Sequence, residues 1–201
     1  MSARPRLRFT GWIAGLGTSS GTRLVLGHWT RTPFGPFSDV MVERPDGHRL
    51  LLAPSRQAAT FVADTYTFDD VRVEPVGVTV AAGTWTVRAP SLDLSFTTGR
   101  RTALGLLLRA VPRRLSARPA WTLVTDLPAR LLLGIRTRGS TRGGRREWYG
   151  AHDVRRITAA SAVCEGAPLG GLAPVEPPVR FGFASTPRTP SVVRVTTTVA
   201  T

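Results

Sequence analysis

The sequence contains no lysine; all 27 of its Lys/Arg positions are arginine. That absence excludes several chemistries in their usual forms. A phosphate-loop NTPase needs a lysine after its glycines, and a protein kinase needs one on its nucleotide phosphates. Schiff-base and pyridoxal-phosphate enzymes need a lysine amine as nucleophile. Cysteine is nearly absent too. Cys164 stands alone, so no intrachain disulfide can form, which fits a reducing compartment, and a cytoplasmic protein is expected. No apolar run approaches the ~20 residues of a membrane-spanning helix. The N-terminal MSARPRLRFTGWIAGLG places basic residues before an apolar stretch that is too short and glycine-rich for a secretion signal. The three histidines, His28, His48 and His152, fall in no metal-ligand spacing, so neither a metal nor a cofactor is expected. Cys164 lacks an activating neighbourhood and reads as a buried structural thiol.

What is present suits one packed domain over residues 1–201, with 42% hydrophobic residues. The formal net charge is +14, and it is uneven. Residues 1–99 balance at +2, whereas residues 100–201 carry +12. Such a field favours anionic partners. A lysine-free chain rich in Ala, Arg, Gly and Pro also matches the codon bias of a GC-rich genome, which raises arginine without selecting a partner.

The clearest local signal is FSDVMVERPDGHRLLLAP, residues 37–54. Pro45, Asp46 and Gly47 suit a type I turn closed by a left-handed glycine. The implied register sets Glu43 opposite Arg49 as an ion pair on one face. Val42 opposite Leu50 and Val40 opposite Leu52 form an apolar face. Ser55 then caps a short helix with Ala58, Phe61, Val62 and Thr65 on one side. VRVEPVGVTVA alternates in two phases that a bend near Pro75–Gly77 would reconcile. TWTVRA and SLDLSF are further alternating strands. Residues 98–116 read as a helix with Leu104, Leu107, Leu108 and Val111 as its stripe, ended by Pro112. AWTLVTD (120–126), ARLLLGIRTR (129–138), EWYGAHDVRRITAASAVCEG, VRFGFAS (179–185) and SVVRVTTTVA favour strands. Residues 139–146 read as a basic loop and 165–178 as a Pro/Gly-rich connector. Short strands, frequent turns and one or two short helices predict a mainly-β fold: an antiparallel β-barrel, with a β-sandwich as the alternative.

Gly17-Thr18-Ser19-Ser20-Gly21 fits G-x-S-x-G, the elbow that presents a hydrolase serine. The elbow requires a helix after it. TRLVLGHW follows instead and alternates like a strand, so GTSSG reads as a hairpin turn. The same missing helix removes a dinucleotide-binding reading. No catalytic set emerges.

The segment TPFGPFSDVMVERPDG, residues 32–47, is similar to the proline/glycine-flanked strand lead-in of acetoacetate-decarboxylase-like proteins. That resemblance implies a cone-like β-barrel around an apolar cavity. It does not imply the decarboxylation itself, because the reaction uses a Schiff-base lysine. Lipocalin-like barrels are a comparably general likeness, and the composition resembles that of high-GC actinobacterial proteins. The leading expectation is therefore a barrel that binds a small apolar or amphipathic ligand, without assigned catalysis, lined by Trp12, Trp29, Phe34, Trp85, Trp121, Trp148 and His152. In EWYGAHD, Trp148, Gly150 and His152 share one strand face and Tyr149, Ala151 and Asp153 the other. The alternative is an anion-binding surface for nucleic acid or an acidic membrane, built from Arg100, Arg101, Arg113, Arg114, Arg142, Arg145 and Arg146. The ligand's identity and the oligomeric state are not legible in the residues.

Overall fold

Turn chemistry builds the first half of the sheet. Strands β1 (Arg6–Thr18) and β2 (Arg23–Arg31) pair antiparallel. Between them the Gly21 N–H donates to the Thr18 carbonyl at 2.9 Å, with Gly21 at φ +84°. GTSSG is thus a hairpin turn. The Ser19 hydroxyl accepts the Gly171 N–H at 3.1 Å, a backbone-bracing role. Strands β3 (Phe37–Glu43) and β4 (Arg49–Ala53) adopt the register read from sequence, with Val40 opposite Leu52, Val42 opposite Leu50 and Glu43 opposite Arg49. Gly47 takes φ +90°, and its N–H closes the turn on the Arg44 carbonyl at 2.9 Å.

The computed structural model describes residues 6–110, 138–140, 146–182 and 186–200, with the backbone alone at 110, 138–140 and 146–147. Helix α1 (Arg56–Thr65) begins at Ser55, whose hydroxyl accepts the Ala58 N–H at 3.2 Å. The helix supplies the crossover that lets β5 (Asp70–Val73) run parallel to β4, an exception to the antiparallel pattern. Then follow β6 (Gly77–Ala81), β7 (Thr84–Ala89), β8 (Leu92–Arg101), helix α2 (Ala103–Ala110), β9 (Arg138–Ser140), β10 (Arg146–Cys164), β11 (Ala167–Ala173) and β12 (Ser191–Ala200).

β1, β11, β10 and β12 close an antiparallel ring of four, with the other strands bonded outside it. One wing runs β2-β3-β4-β5 from β1; the other runs β8-β7-β6 from β10, beside β9. The wings pack face to face. Leu24, Leu26, Val40, Val42, Leu50 and Leu52 meet Trp85, Val87, Leu92, Leu94 and Phe96 in one buried cluster. The outer strands β5 and β6 are joined by residues 74–76 alone, so the chain steps directly from one sheet edge to the other. The expected bend at Pro75 is this step. The Glu74 carboxylate seals it by accepting the Ser91 N–H and hydroxyl at 3.1 and 2.8 Å, and Arg72 reaches Glu165 at 2.6 Å. On the opposite face of β2–β4, Val25, Met41, Leu51 and Ala53 pack under α1 and against Val175, Val179 and Phe181.

That second layer corrects the expected ion pair. Glu43 is wholly buried and bonds Arg23 at 3.0 Å and Arg180 at 3.1 Å, while Arg49 turns to Asp69 at 2.8 Å. A buried carboxylate needs donors on every side, and residues 175–181 bring Arg180 over it. Three further expectations change. Residues 98–101 belong to β8, and α2 starts only after Thr102, whose hydroxyl accepts the Gly105 N–H at 3.0 Å. The helix packs on β10 through Gly105, where a Cβ would collide with the Val154 backbone; of the expected stripe Leu104 and Leu108 are half-buried, Leu107 is exposed and Val111 lies outside the described residues. Residues 167–173 form β11 because tight turns with positive φ at Glu165 and Gly166 return the chain onto β10. Residues 179–182 are irregular although Phe181 is buried, since they cover the sheet face and add no strand to it. The segments 120–126 and 129–137 expected as strands lie outside the described residues.

Candidate functional site

Strand parity divides the long strands between two compartments. On β1, Trp12, Ala14 and Leu16 belong to the barrel core, whereas Phe9, Ile13 and Gly15 face the other way. On β2 and β3 the outward set is Val25, Gly27 and Trp29 with Phe37, Asp39 and Met41. β12 adds Ser191, Val193, Val195, Thr197 and Val199, and β10 adds Tyr149 and Ala151. Phe61, Val62 and Tyr66 come from α1 and its end, and Thr186 with Pro187 completes the wall. These groups line a cavity of about 120 Å³. Its space comes from small residues set among large ones. Phe9 stacks on Phe61 at 4.9 Å between ring centroids and meets Trp29 edge-on at 5.9 Å, giving one apolar aromatic wall.

The polar groups are few and buried. Asp39 is almost fully inaccessible, and its Oδ1 accepts the Trp29 indole N–H at 2.9 Å. Burial pushes its carboxyl up to about 7 from an ordinary 3.8, with the Trp29 bond opposing the shift. Gly27 lies directly opposite Asp39, and a Cβ there would fall 2.6 Å from both Asp39 Oδ1 and Trp29 Nε1. Glycine at this position makes the hydrogen bond possible. Tyr66 and Tyr149 join their hydroxyls at 2.5 Å across the cavity wall. The hydroxyls of Thr186, Ser191 and Thr197 also belong to lining residues, and each is buried without a hydrogen-bond partner among the described residues. Native structures rarely leave such groups orphaned. The chamber wall therefore includes a buried acid with a raised pKa and three residues whose buried hydroxyls have no partner among the described residues, set in an apolar surround.

The residues expected to line one cavity are dispersed. Trp29 lines this chamber, and Phe34 backs it through edge contacts with Phe9 and Phe61. Trp12 and Trp85 sit on the barrel side, around a separate cleft shared with His28. Trp148 is half-buried, with the Arg6 guanidinium over its ring at 5.9 Å. His152 is the extra residue of a bulge between Ala151 and Asp153, and its Nε2 bonds the buried Thr196 hydroxyl at 2.8 Å. Trp121, Arg113, Arg114, Arg142 and Arg145 lie outside the described residues, and only the backbone of Arg146 is described, in β10. Arg100 is exposed at the end of β8, while Arg101 binds Asp153 at 2.9 Å. The Cys164 thiol is buried, and burial raises its pKa, which disfavours the thiolate. Among the described residues no group of three His, Cys, Asp or Glu could hold a metal ion, and no helix is long and apolar enough to cross a membrane.

Sequence reasoning missed Asp39, Tyr66, Tyr149, Thr186, Ser191 and Thr197. One signal was available: Asp39 shares strand parity with Phe37 and Met41, an acid in an otherwise apolar row.

No family model matches the chain, and no curated protein does. Among the five solved chains that match it are two acetoacetate decarboxylase structures. One is an acetoacetate decarboxylase from Legionella pneumophila, with 10% identity and a TM-score of 0.43 over 98% of this chain and 85% of that one. The other, from structural studies of acetoacetate decarboxylase, has 8% identity and a TM-score of 0.46 over the same shares.

Proposed function

We propose that the protein binds a small amphipathic molecule in the 120 Å³ cavity under α1. The observation that carries this reading is the set of three partnerless hydroxyls, Thr186, Ser191 and Thr197, in the same apolar chamber as the buried Asp39. A buried hydroxyl without a partner costs about 1–3 kcal/mol, and a ligand head group that bonds these oxygens recovers it. An apolar cavity of roughly 150 Å³ accepts benzene, so the occupant has an apolar body of about that size or slightly smaller and one polar head. Asp39 suits a head that donates or accepts. Its carboxylate accepts from an alcohol or amine, and its acid form donates to a carbonyl. With no lysine in the chain, a carbonyl ligand is held and not converted to a Schiff base. The reading is one of binding without assigned catalysis.

Calorimetry with benzyl alcohol and toluene tests it. Benzyl alcohol is expected to bind several-fold more tightly than toluene, and the double variant Ser191→Ala/Thr197→Val should erase the difference. Equal affinities for the two probes, or an unchanged preference in the variant, would refute the reading. Native mass spectrometry of the purified chain is expected to show a co-purifying species of low mass.

A further inference from the structure

The barrel holds a second cleft of about 430 Å³ on the face opposite the first cavity. Sheet register assembles it. His28 on β2 lies opposite Trp12 on β1, Trp12 opposite Arg194 on β12, and Arg194 opposite Asp153 on β10. The next row sets Val192 opposite Arg155, and Arg155 opposite Arg101 on β8. Trp85 closes the apolar side, 6.1 Å from Trp12 and 5.8 Å from His28 between ring centroids. The Arg194 guanidinium lies over Trp12 at 5.4 Å.

The charges here do not balance. Asp153 pairs with Arg101 at 2.9 Å, and its second oxygen lies against Gly105, buried without a partner among the described residues. Arg155 and Arg194 are half-buried and have no carboxylate partner among the described residues. Arg155 also faces Arg101 directly across the strand pair, an arrangement of like charges that is unfavourable without a counter-ion. Burial lowers the His28 pKa, and its Nδ1 is tied to the Ser38 hydroxyl at 2.8 Å. Two guanidinium groups therefore await an oxyanion beside a wall of two indoles and an imidazole. Guanidinium binds planar oxyanions through paired N–H donors, and indole faces accept flat apolar rings.

We propose that this cleft is a second ligand site, distinct from the cavity under α1, for an aromatic oxyanion whose carboxylate or phosphate bonds Arg155 and Arg194 and whose ring packs against Trp12 and Trp85.

The full chain, labelled with nitrogen-15 at its indoles, is titrated with benzoate, phenyl phosphate, inorganic phosphate and neutral benzyl alcohol. Benzoate or phenyl phosphate, or both, should shift the Trp12 and Trp85 indole resonances and leave Trp29 unmoved. The arm that saturates at lower concentration identifies the head group. Benzyl alcohol should leave Trp12 and Trp85 in place. Arg155→Gln and Arg194→Gln should each weaken binding of the aryl anion about tenfold or more. The control Arg88→Gln removes an exposed arginine of β7 that pairs with Asp93, and it should change nothing. Folding of each variant is checked by its remaining indole dispersion. Three results would overturn the proposal: aryl anions that leave Trp12 and Trp85 unmoved, full affinity in both folded glutamine variants, or inorganic phosphate binding as tightly as phenyl phosphate. Because Trp29 reports the first cavity independently, failure here is distinguishable from failure there.

Discussion

Replacing Asp39 by Asn should change how stability depends on pH, and the structure gives the size of the change. The carboxyl titrates near 7 in the folded chain, against 3.8 when unperturbed. Below about pH 4 both folded and unfolded chains hold the proton, and the site is neutral in each. Between about pH 4 and 7 the unfolded chain releases that proton while the buried group keeps it, so rising pH favours unfolding. Above about 7 both are ionised and the slope vanishes. The interval spans roughly three pH units at about 1.4 kcal/mol each, a loss of about 4 kcal/mol by pH 8. Asparagine keeps an oxygen for the Trp29 indole and removes the titration. Asp69 and Glu165, held low by Arg49 and Arg72, act in the opposite sense, losing stability as pH falls through their folded values. They are common to both proteins and cancel in the difference. Urea unfolding of the parent and Asp39→Asn, followed by tryptophan fluorescence, should give stabilities that converge near pH 4 and diverge in favour of the variant toward pH 8. Parallel curves across that range would refute the assignment of a raised, buried acid at Asp39.

Gly27→Ala should destabilise by roughly 1–3 kcal/mol, since its Cβ must displace the Asp39–Trp29 bond; urea midpoints measure this, and benzyl alcohol binding should fall with it. Glu43→Gln should cost about 3–5 kcal/mol by leaving the buried Arg23 without its counter-charge, and Glu43→Leu combined with Arg23→Met should recover much of that loss. Gly47→Val, at φ +90° in the hairpin tip, should lower stability by roughly 1–2 kcal/mol in the same assay.

The β3–β4 hairpin was legible because turn chemistry, register and hydrophobic alternation all act within one short segment. The Ser55 cap and the GTSSG turn were readable for the same reason. The partners of Glu43 were hidden because Arg23 faces it only through the pairing of β2 with β3, and Arg180 reaches it only once residues 175–181 fold over the sheet. The helix over 98–116 failed at its start because pairing of β8 with β10 outweighs local helical spacing at residues 98–101. β11 was hidden by Pro168, Gly170 and Gly171; Gly170 takes a positive φ close against Ser19, and the sheet supplies the pairing. The cavity was the least legible feature. Its lining alternates with core residues along the same strands, so aromatic content alone pooled Trp12 and Trp85 with Trp29. Only closure of the barrel and placement of α1 show that these tryptophans face different spaces. The bulge at His152 likewise depends on the pairing of β10 with β12 and leaves no mark in EWYGAHD itself.

The most direct test of ligand binding under α1 is the indole spectrum of the labelled protein during titration with benzyl alcohol, its resonances assigned by single Trp→Phe variants. Trp29 donates its N–H to Asp39 at the cavity wall, so its resonance should move saturably while those of Trp12 and Trp85 stay fixed. A Trp29 resonance that remains in place at millimolar benzyl alcohol would contradict the account.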